Sequence, residues 1–133
     1  MPNIYSLNAS STIQNRIGDW TTIFRGGAGY TPYLEMNFDL PNGASKFSFY
    51  YGTATQNATD TGGVPIYLTV EYSQDSGASW TQIGDILEIE DAEVQYFQEY
   101  ELDITGPVRF RIGKNNETAA RMMIDEIAVY YTN

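Results

Sequence analysis

Residues 66–80 read IYLTVEYSQDSGASW, and this stretch decides the fold. Its first half alternates apolar residues with more polar ones, which is the two-residue period of a strand with one buried face. Its second half, from Ser73 to Trp80, is rich in Ser, Asp and Gly and is typical of a tight turn. The stretch therefore predicts a β-strand that ends in a tight turn, the first half of a β-hairpin.

The same two-residue period recurs on both sides of this hairpin. Further alternating runs lie at 34–40, 47–51, 100–104 and 108–112. Turn residues cluster between the runs, and no window carries a convincing 3.6-residue apolar stripe. Regularly spaced strands without helices predict an all-β fold, an antiparallel β-sandwich with jelly-roll topology, which we expect to form one domain over 1–133. Weaker strands are expected at 4–8, 19–25, 80–89 and 122–131.

The apolar phase of these runs also predicts the core between the two sheets. We expect the core to contain Leu34, Met36, Phe38, Phe47, Phe49, Leu68, Val70, Trp80, Leu102, Phe110, Ile112, Ile127 and Val129.

The last predicted strand changes phase in its middle. Met122 and Ile124 share one phase, whereas Ile127 and Val129 share the other. One extra residue near Asp125 would bring both apolar sets to the core, which is what a β-bulge does. The alternative is that the strand begins only at Ile127.

The turn at 73–80 matches the Asp-box pattern Ser-x-Asp-x-Gly-x-x-Trp through Ser73, Asp75, Gly77 and Trp80. A carboxylate in a tight turn can accept several backbone N–H bonds, and Gly tolerates a positive φ. Trp80 is expected to return the chain to the core with a large apolar ring. This pattern predicts a structural hairpin in which Asp75 accepts N–H bonds within 75–80, rather than a catalytic Asp75.

Composition excludes several kinds of function. The chain has no Cys and no His, so thiol catalysis, Ser-His-Asp triads and imidazole acid–base chemistry are absent. Its 7 basic and 17 acidic residues give a net charge of −10, which disfavours nucleic acid and anionic membranes as partners. The acids form no marked pair of the kind that a glycosidase needs, so we expect no enzyme. No stretch approaches the ~20 apolar residues of a membrane span, so we expect no direct membrane insertion.

Six sequence motifs occur in a familiar order. They are Thr31-Pro32-Tyr33-Leu34, Lys46-Phe47-Ser48-Phe49-Tyr50-Tyr51, Val70-Glu71-Tyr72-Ser73, Trp80-Thr81-Gln82-Ile83-Gly84, Val108-Arg109-Phe110-Arg111-Ile112 and Met123-Ile124-Asp125-Glu126-Ile127. The chain resembles the jelly-roll accessory modules of secreted and surface proteins of Bacteroides-type bacteria, similar to MAM-like and galactose-binding-like domains. The resemblance covers about 12–131 and implies an extracellular, periplasmic or cell-surface location, with a hairpin role for Asp75, Gly77 and Trp80.

Carbohydrate binding is the first functional hypothesis for such a module. Tyr50 and Tyr67 are out of phase with the core residues of their strands, so their rings are expected on an outer face, where they could stack on neutral sugars. Tyr30, Arg109 and Arg111 are the other candidate ligand-binding residues. The alternative is a structural or protein-interaction module, an adhesion or spacer domain that needs only the sandwich and an exposed patch.

A structural Ca²⁺ ion is the one cofactor that the sequence suggests, because jelly-roll modules often hold one with carboxylates and backbone oxygens. Asp125 and Asp60 are the candidate ligands, and Asp75 is a further one. The chain has no EF-hand spacing.

Overall fold

The computed structural model describes residues 3–7, 22–24, 33–53, 65–91, 94–115 and 122–131. This part of the chain contains ten strands and no helix, so it also has no helix long and apolar enough to cross a membrane. The strands are β1 (Asn3–Leu7), β2 (Thr22–Phe24), β3 (Tyr33–Glu35), β4 (Ala44–Thr53), β5 (Ile66–Ser73), β6 (Thr81–Gln82), β7 (Leu87–Ile89), β8 (Tyr96–Ile104), β9 (Arg109–Lys114) and β10 (Met122–Tyr131).

The strands form two antiparallel sheets of five strands each. Sheet I has the order β1-β10-β4-β8, with β2 also paired to β10. Sheet II has the order β3-β9-β5-β6, with β7 also paired to β5. The inner faces of both sheets supply one apolar core, in which the ring of Phe47 from sheet I stacks on that of Phe110 from sheet II with centroids 4.6 Å apart. The predicted all-β antiparallel sandwich is confirmed.

Most of the predicted core is confirmed, since side chains from all five alternating runs pack between the sheets. Leu34, Met36 and Leu102 are only partly buried against this core. The prediction is wrong for Phe38, which is 38% exposed, because β3 ends at Glu35 and the chain bends before it rejoins sheet II at Leu40.

The predicted bulge in the last strand is confirmed. β10 continues through the phase change, and its register with β4 shifts from Asp125 opposite Tyr50 to Ala128 opposite Ser48. Glu126 and Ile127 of β10 thus lie opposite the single residue Phe49 of β4, and Glu126 takes a positive φ of 50° to accommodate the extra residue. Both apolar sets reach the core, because residues 122, 124, 127 and 129 are all buried.

Candidate ligand-binding groove

The Asp75 hairpin is closed by a compact hydrogen-bond network. The backbone N–H of Ser79 donates to Asp75 Oδ1 at 2.8 Å, which is the kind of bond that the sequence predicted. The hydroxyls of Ser79 and Ser73 also donate to the two carboxylate oxygens, at 2.5 and 2.7 Å, and the N–H of Gly77 donates to Ser73 Oγ. Hydrogen bonds from Ser79 and then Ser73 lower the pKa of Asp75 to about 2, so it is a carboxylate at neutral pH.

This hairpin loop is attached to the outer face of sheet II by a polar cluster. The Ser76 hydroxyl donates to Asp39 Oδ2 at 2.6 Å, and Arg109 Nε donates to Asp39 Oδ1 at 2.7 Å. Arg109 also lies 3.5 Å from Glu35. The hydrogen bond from Arg109, followed by that from Ser76, lowers the pKa of Asp39, and the same Asp39 bond raises the pKa of Arg109. Asp39 and Arg109 therefore act as a fixed charged support for the loop.

Trp80 lies on this outer face and not in the core, so the sequence prediction for it is wrong. Its half-buried ring lies under the guanidinium of Arg111, with the Arg111 Cζ 4.1 Å from a ring centroid. Tyr33 approaches the same guanidinium at 5.3 Å, and Glu71 accepts from Arg111 Nε at 2.9 Å. The hairpin turns the indole outward because its loop folds over sheet II. Two rings and a carboxylate thereby hold Arg111 in one position.

A groove opens on the outer face of sheet II beside Arg111. It has a volume of about 510 Å³. Strand register explains its composition: Tyr33, Gly113 and Thr69 form one row across β3, β9 and β5. The next row carries Arg111 and Glu71 beside Gln82 of β6. We call this the Tyr33–Arg111 groove; its lining residues are Tyr33, Thr69, Glu71, Gln82, Ile86, Arg111, Gly113, Lys114 and Asn115.

The groove combines an exposed ring with fixed polar groups. Tyr33 is 58% exposed, so much of its surface can meet a ligand. Arg111 and Glu71 are oriented by their own ion pair, and Gln82 adds an amide beside them. Such planar polar groups can donate hydrogen bonds to, and accept them from, the hydroxyls of a ligand. An aromatic ring can cover an apolar face of the same ligand.

The predicted pair Tyr50 and Tyr67 is separated by the sandwich, which is a correction to the sequence analysis. Tyr50 points outward from β4 in sheet I, where its ring lies 4.7 Å from that of Phe97. Tyr67 points outward from β5 in sheet II, beside Glu88 of β7. Because the two rings lie on opposite outer faces, they cannot contact one ligand together.

The other candidate ligand-binding residues have different outcomes. Arg109 and Arg111 lie on the outer face of sheet II, and each is engaged by a carboxylate. Of these two arginines, Arg111 lines the groove and Arg109 does not. Tyr30 lies outside the described residues. Tyr67 shares this face with the groove, two residues along β5 from Thr69, and its pKa is raised, chiefly by the charge of Glu88.

The calcium hypothesis stays a prediction. Asp125 is 1% exposed, and its Oδ1 accepts the N–H of Glu126 at the bulge. Asp75 is engaged in the hairpin, and Asp60 lies outside the described residues. The part of the chain that the structure describes contains no group of three or more acidic side chains that could hold a metal ion.

Only part of this groove could be predicted from the sequence. The outward phase of Thr69, Glu71 and Arg111 follows from the strand alternation. Gln82 and Ile86 carry no such signal, because β6 has two residues and Ile86 lies between strands. Nothing local to Trp80 reveals that a loop will place it over a distant Arg.

Comparisons with known proteins add a fold assignment. No protein-family model matches the chain, and no curated protein matches it. Among solved structures, it is similar to TmCBM61 in complex with β-1,4-galactotriose, with 13% identity and a TM-score of 0.61 over 97% of this chain and 82% of the other. It is also similar to the CBM22-1 xylan-binding domain from Paenibacillus barcinonensis Xyn10C, with 14% identity and a TM-score of 0.58 over 98% and 83%.

A third similar structure is the K2 cleaved adhesin domain of Lys-gingipain, with 12% identity and a TM-score of 0.65 over 99% of this chain and 83% of the other. At such low identity these likenesses concern the fold. They establish a jelly-roll β-sandwich of the architecture found in carbohydrate-binding modules.

Proposed function

We propose that this chain is a non-catalytic carbohydrate-binding module that takes a neutral glycan in the Tyr33–Arg111 groove. The observation that carries the proposal is the exposed Tyr33 ring beside the fixed Arg111–Glu71 pair. A pyranose has apolar C–H faces and equatorial hydroxyls, so it matches a ring with planar donors and acceptors next to it. Structures with the same fold include one in complex with β-1,4-galactotriose and one xylan-binding domain, which supports this ligand class.

Charge favours a neutral glycan over an anionic one. The chain has a net charge of −10, and the carboxylate of Glu71 already faces the Arg111 guanidinium. A uronate or sulfate would therefore enter an unfavourable field and compete with Glu71 for its cation.

We propose an extracellular or cell-surface setting as part of a larger bacterial protein. The similar structures include an adhesin domain of Lys-gingipain and a xylan-binding domain from Xyn10C, so this fold occurs as one domain of a larger protein. The sequence has no His and no Cys, so catalysis by those side chains is excluded.

Isothermal titration of neutral oligosaccharides tests this function. The probes are β-1,4-galactotriose and xylo-oligosaccharides, and the variants are Tyr33→Ala and Tyr50→Ala. We expect Tyr33→Ala to weaken binding about three- to tenfold, because it removes the stacking ring. Tyr50→Ala is the matched control, since it deletes a Tyr from the opposite sheet. The proposal fails if no oligosaccharide binds at millimolar concentration, or if both variants bind as the native domain does.

A further inference from the structure

Strand β8 is the last strand of sheet I in the part of the chain that the structure describes. It is nine residues long, and within the described residues it pairs with β4 alone. Its outer edge therefore presents a row of backbone N–H and C=O groups over roughly 30 Å. Such an edge can accept a further strand unless its side chains prevent pairing.

The outward side chains of β8 give this edge a specific chemistry. Phe97 is 50% exposed and packs against Tyr50 of the neighbouring strand. It is followed at alternate positions by Glu99, Glu101 and Asp103, all exposed. One Lys of β4, Lys46, lies 3.5 Å from each of the two Glu side chains, so the stripe keeps a net negative charge.

Pairing of β8 along its full length with the β8 of a second copy of this chain is unfavourable. Antiparallel self-pairing centred on Tyr100 would place Glu99 opposite the Glu101 of the other copy, and Glu101 opposite its Glu99. Like charges directly opposite each other in a sheet are destabilising. The same charges would favour a strand that carries cations at those positions.

We propose that the β8 edge binds an extended basic segment of another protein by antiparallel strand addition. Since all strand pairs of sheet I are antiparallel, the partner would run from opposite Asp103 towards opposite Phe97. The partner strand would then carry three basic residues at alternate positions, opposite Asp103, Glu101 and Glu99. An aliphatic residue would follow two positions after the last basic residue, opposite Phe97. Backbone bonds supply attachment, and the alternate side chains supply selectivity. This interface lies on sheet I and is independent of the glycan groove on sheet II.

A synthetic peptide tests the proposal on the intact domain. The probe has Lys at three alternate positions, Leu two residues after the last Lys, Thr between them and blocked ends. Its matched control has the same composition with the three Lys consecutive. We expect saturable 1:1 binding of the alternating peptide, measured by fluorescence anisotropy, and slower amide hydrogen exchange in residues 96–104 when it binds.

Two variants that each raise the net charge by one distinguish recognition by β8 from a general effect of net charge on peptide binding. Glu101→Gln removes one negative charge from β8, whereas Ala78→Lys adds one positive charge on the exposed hairpin loop at sheet II. We expect Glu101→Gln to weaken binding about threefold and Ala78→Lys to leave it unchanged. The proposal is overturned if the peptide does not bind, if the consecutive-Lys peptide binds equally well, if both variants behave alike, or if exchange in 96–104 is unaffected.

Discussion

The hairpin loop positions Asp75 through contacts close in the chain and Trp80 through a contact far along it. Asp75 accepts hydrogen bonds from Ser73 and Ser79, which lie within four positions of it, and the N–H of Gly77 donates to Ser73 Oγ. The place of Trp80 depends on Arg111, which lies 31 positions away and becomes a neighbour only through the pairing of β5 with β9. Expecting a large apolar ring in the core was reasonable, but cation–π contact with a fixed Arg stabilises it on the surface.

Acid sensitivity tests the role of Asp75. Its pKa in the folded domain is about 2, below its ordinary value of 3.8, so its stabilising effect is complete above about pH 4 and is lost as the pH falls towards 2. We expect Asp75→Asn to lower the thermal unfolding midpoint at pH 5. The gap in unfolding midpoint between the variant and the native domain should narrow between pH 4 and pH 2. Asp103→Asn, which changes an exposed acid of β8, is the control and should show little gap throughout. A gap for Asp75→Asn that is constant with pH would contradict this role.

At the scale of strands, sequence period was informative wherever a strand was long. The runs that became β4, β5, β8 and β9 were predicted because several alternating residues define which face is buried. The bulge of β10 was predictable from its phase change for the same reason. The split of 80–89 into β6 and β7 was not, since strands of two and three residues contain too few alternations to define a period.

Strand β8 contains a hydroxyl whose removal should not destabilise the domain. The Tyr100 hydroxyl is buried without a hydrogen-bond partner in the described part of the chain, and burial is the main cause that raises its pKa to about 12. We expect Tyr100→Phe to leave the free energy of unfolding unchanged or raise it by up to about 1 kcal/mol.

The matched control on the same strand is Tyr96→Phe. The Tyr96 hydroxyl accepts the N–H of Asp91 at 3.1 Å, so its loss should cost about 1 kcal/mol. Urea unfolding measures both free energies. A Tyr100→Phe variant less stable than Tyr96→Phe would show that the Tyr100 hydroxyl contributes a bond.

At the scale of the whole molecule, sequence period assigns residues to inner and outer faces but does not say which sheet a strand joins. Tyr50 and Tyr67 were both correctly expected outside the core, yet they lie on opposite faces because β4 and β5, although consecutive strands, belong to different sheets. The same partition of strands brings Tyr33, Arg111 and Glu71 from three strands into one groove. The fold class was therefore predictable, whereas the composition of the candidate site required the strand order.

Chemical-shift mapping tests the central claim, that the outer face of sheet II binds a neutral glycan. Backbone amide resonances of the ¹⁵N-labelled domain are followed while β-1,4-galactotriose or a xylo-oligosaccharide is added to millimolar concentration. We expect saturable shifts at residues 33–35, 69–71, 82–86 and 111–115, which surround the Tyr33–Arg111 groove, and none at Tyr50 and Phe97 on sheet I. Saturable shifts confined to sheet I, or no saturable shift with any neutral oligosaccharide, would contradict the claim.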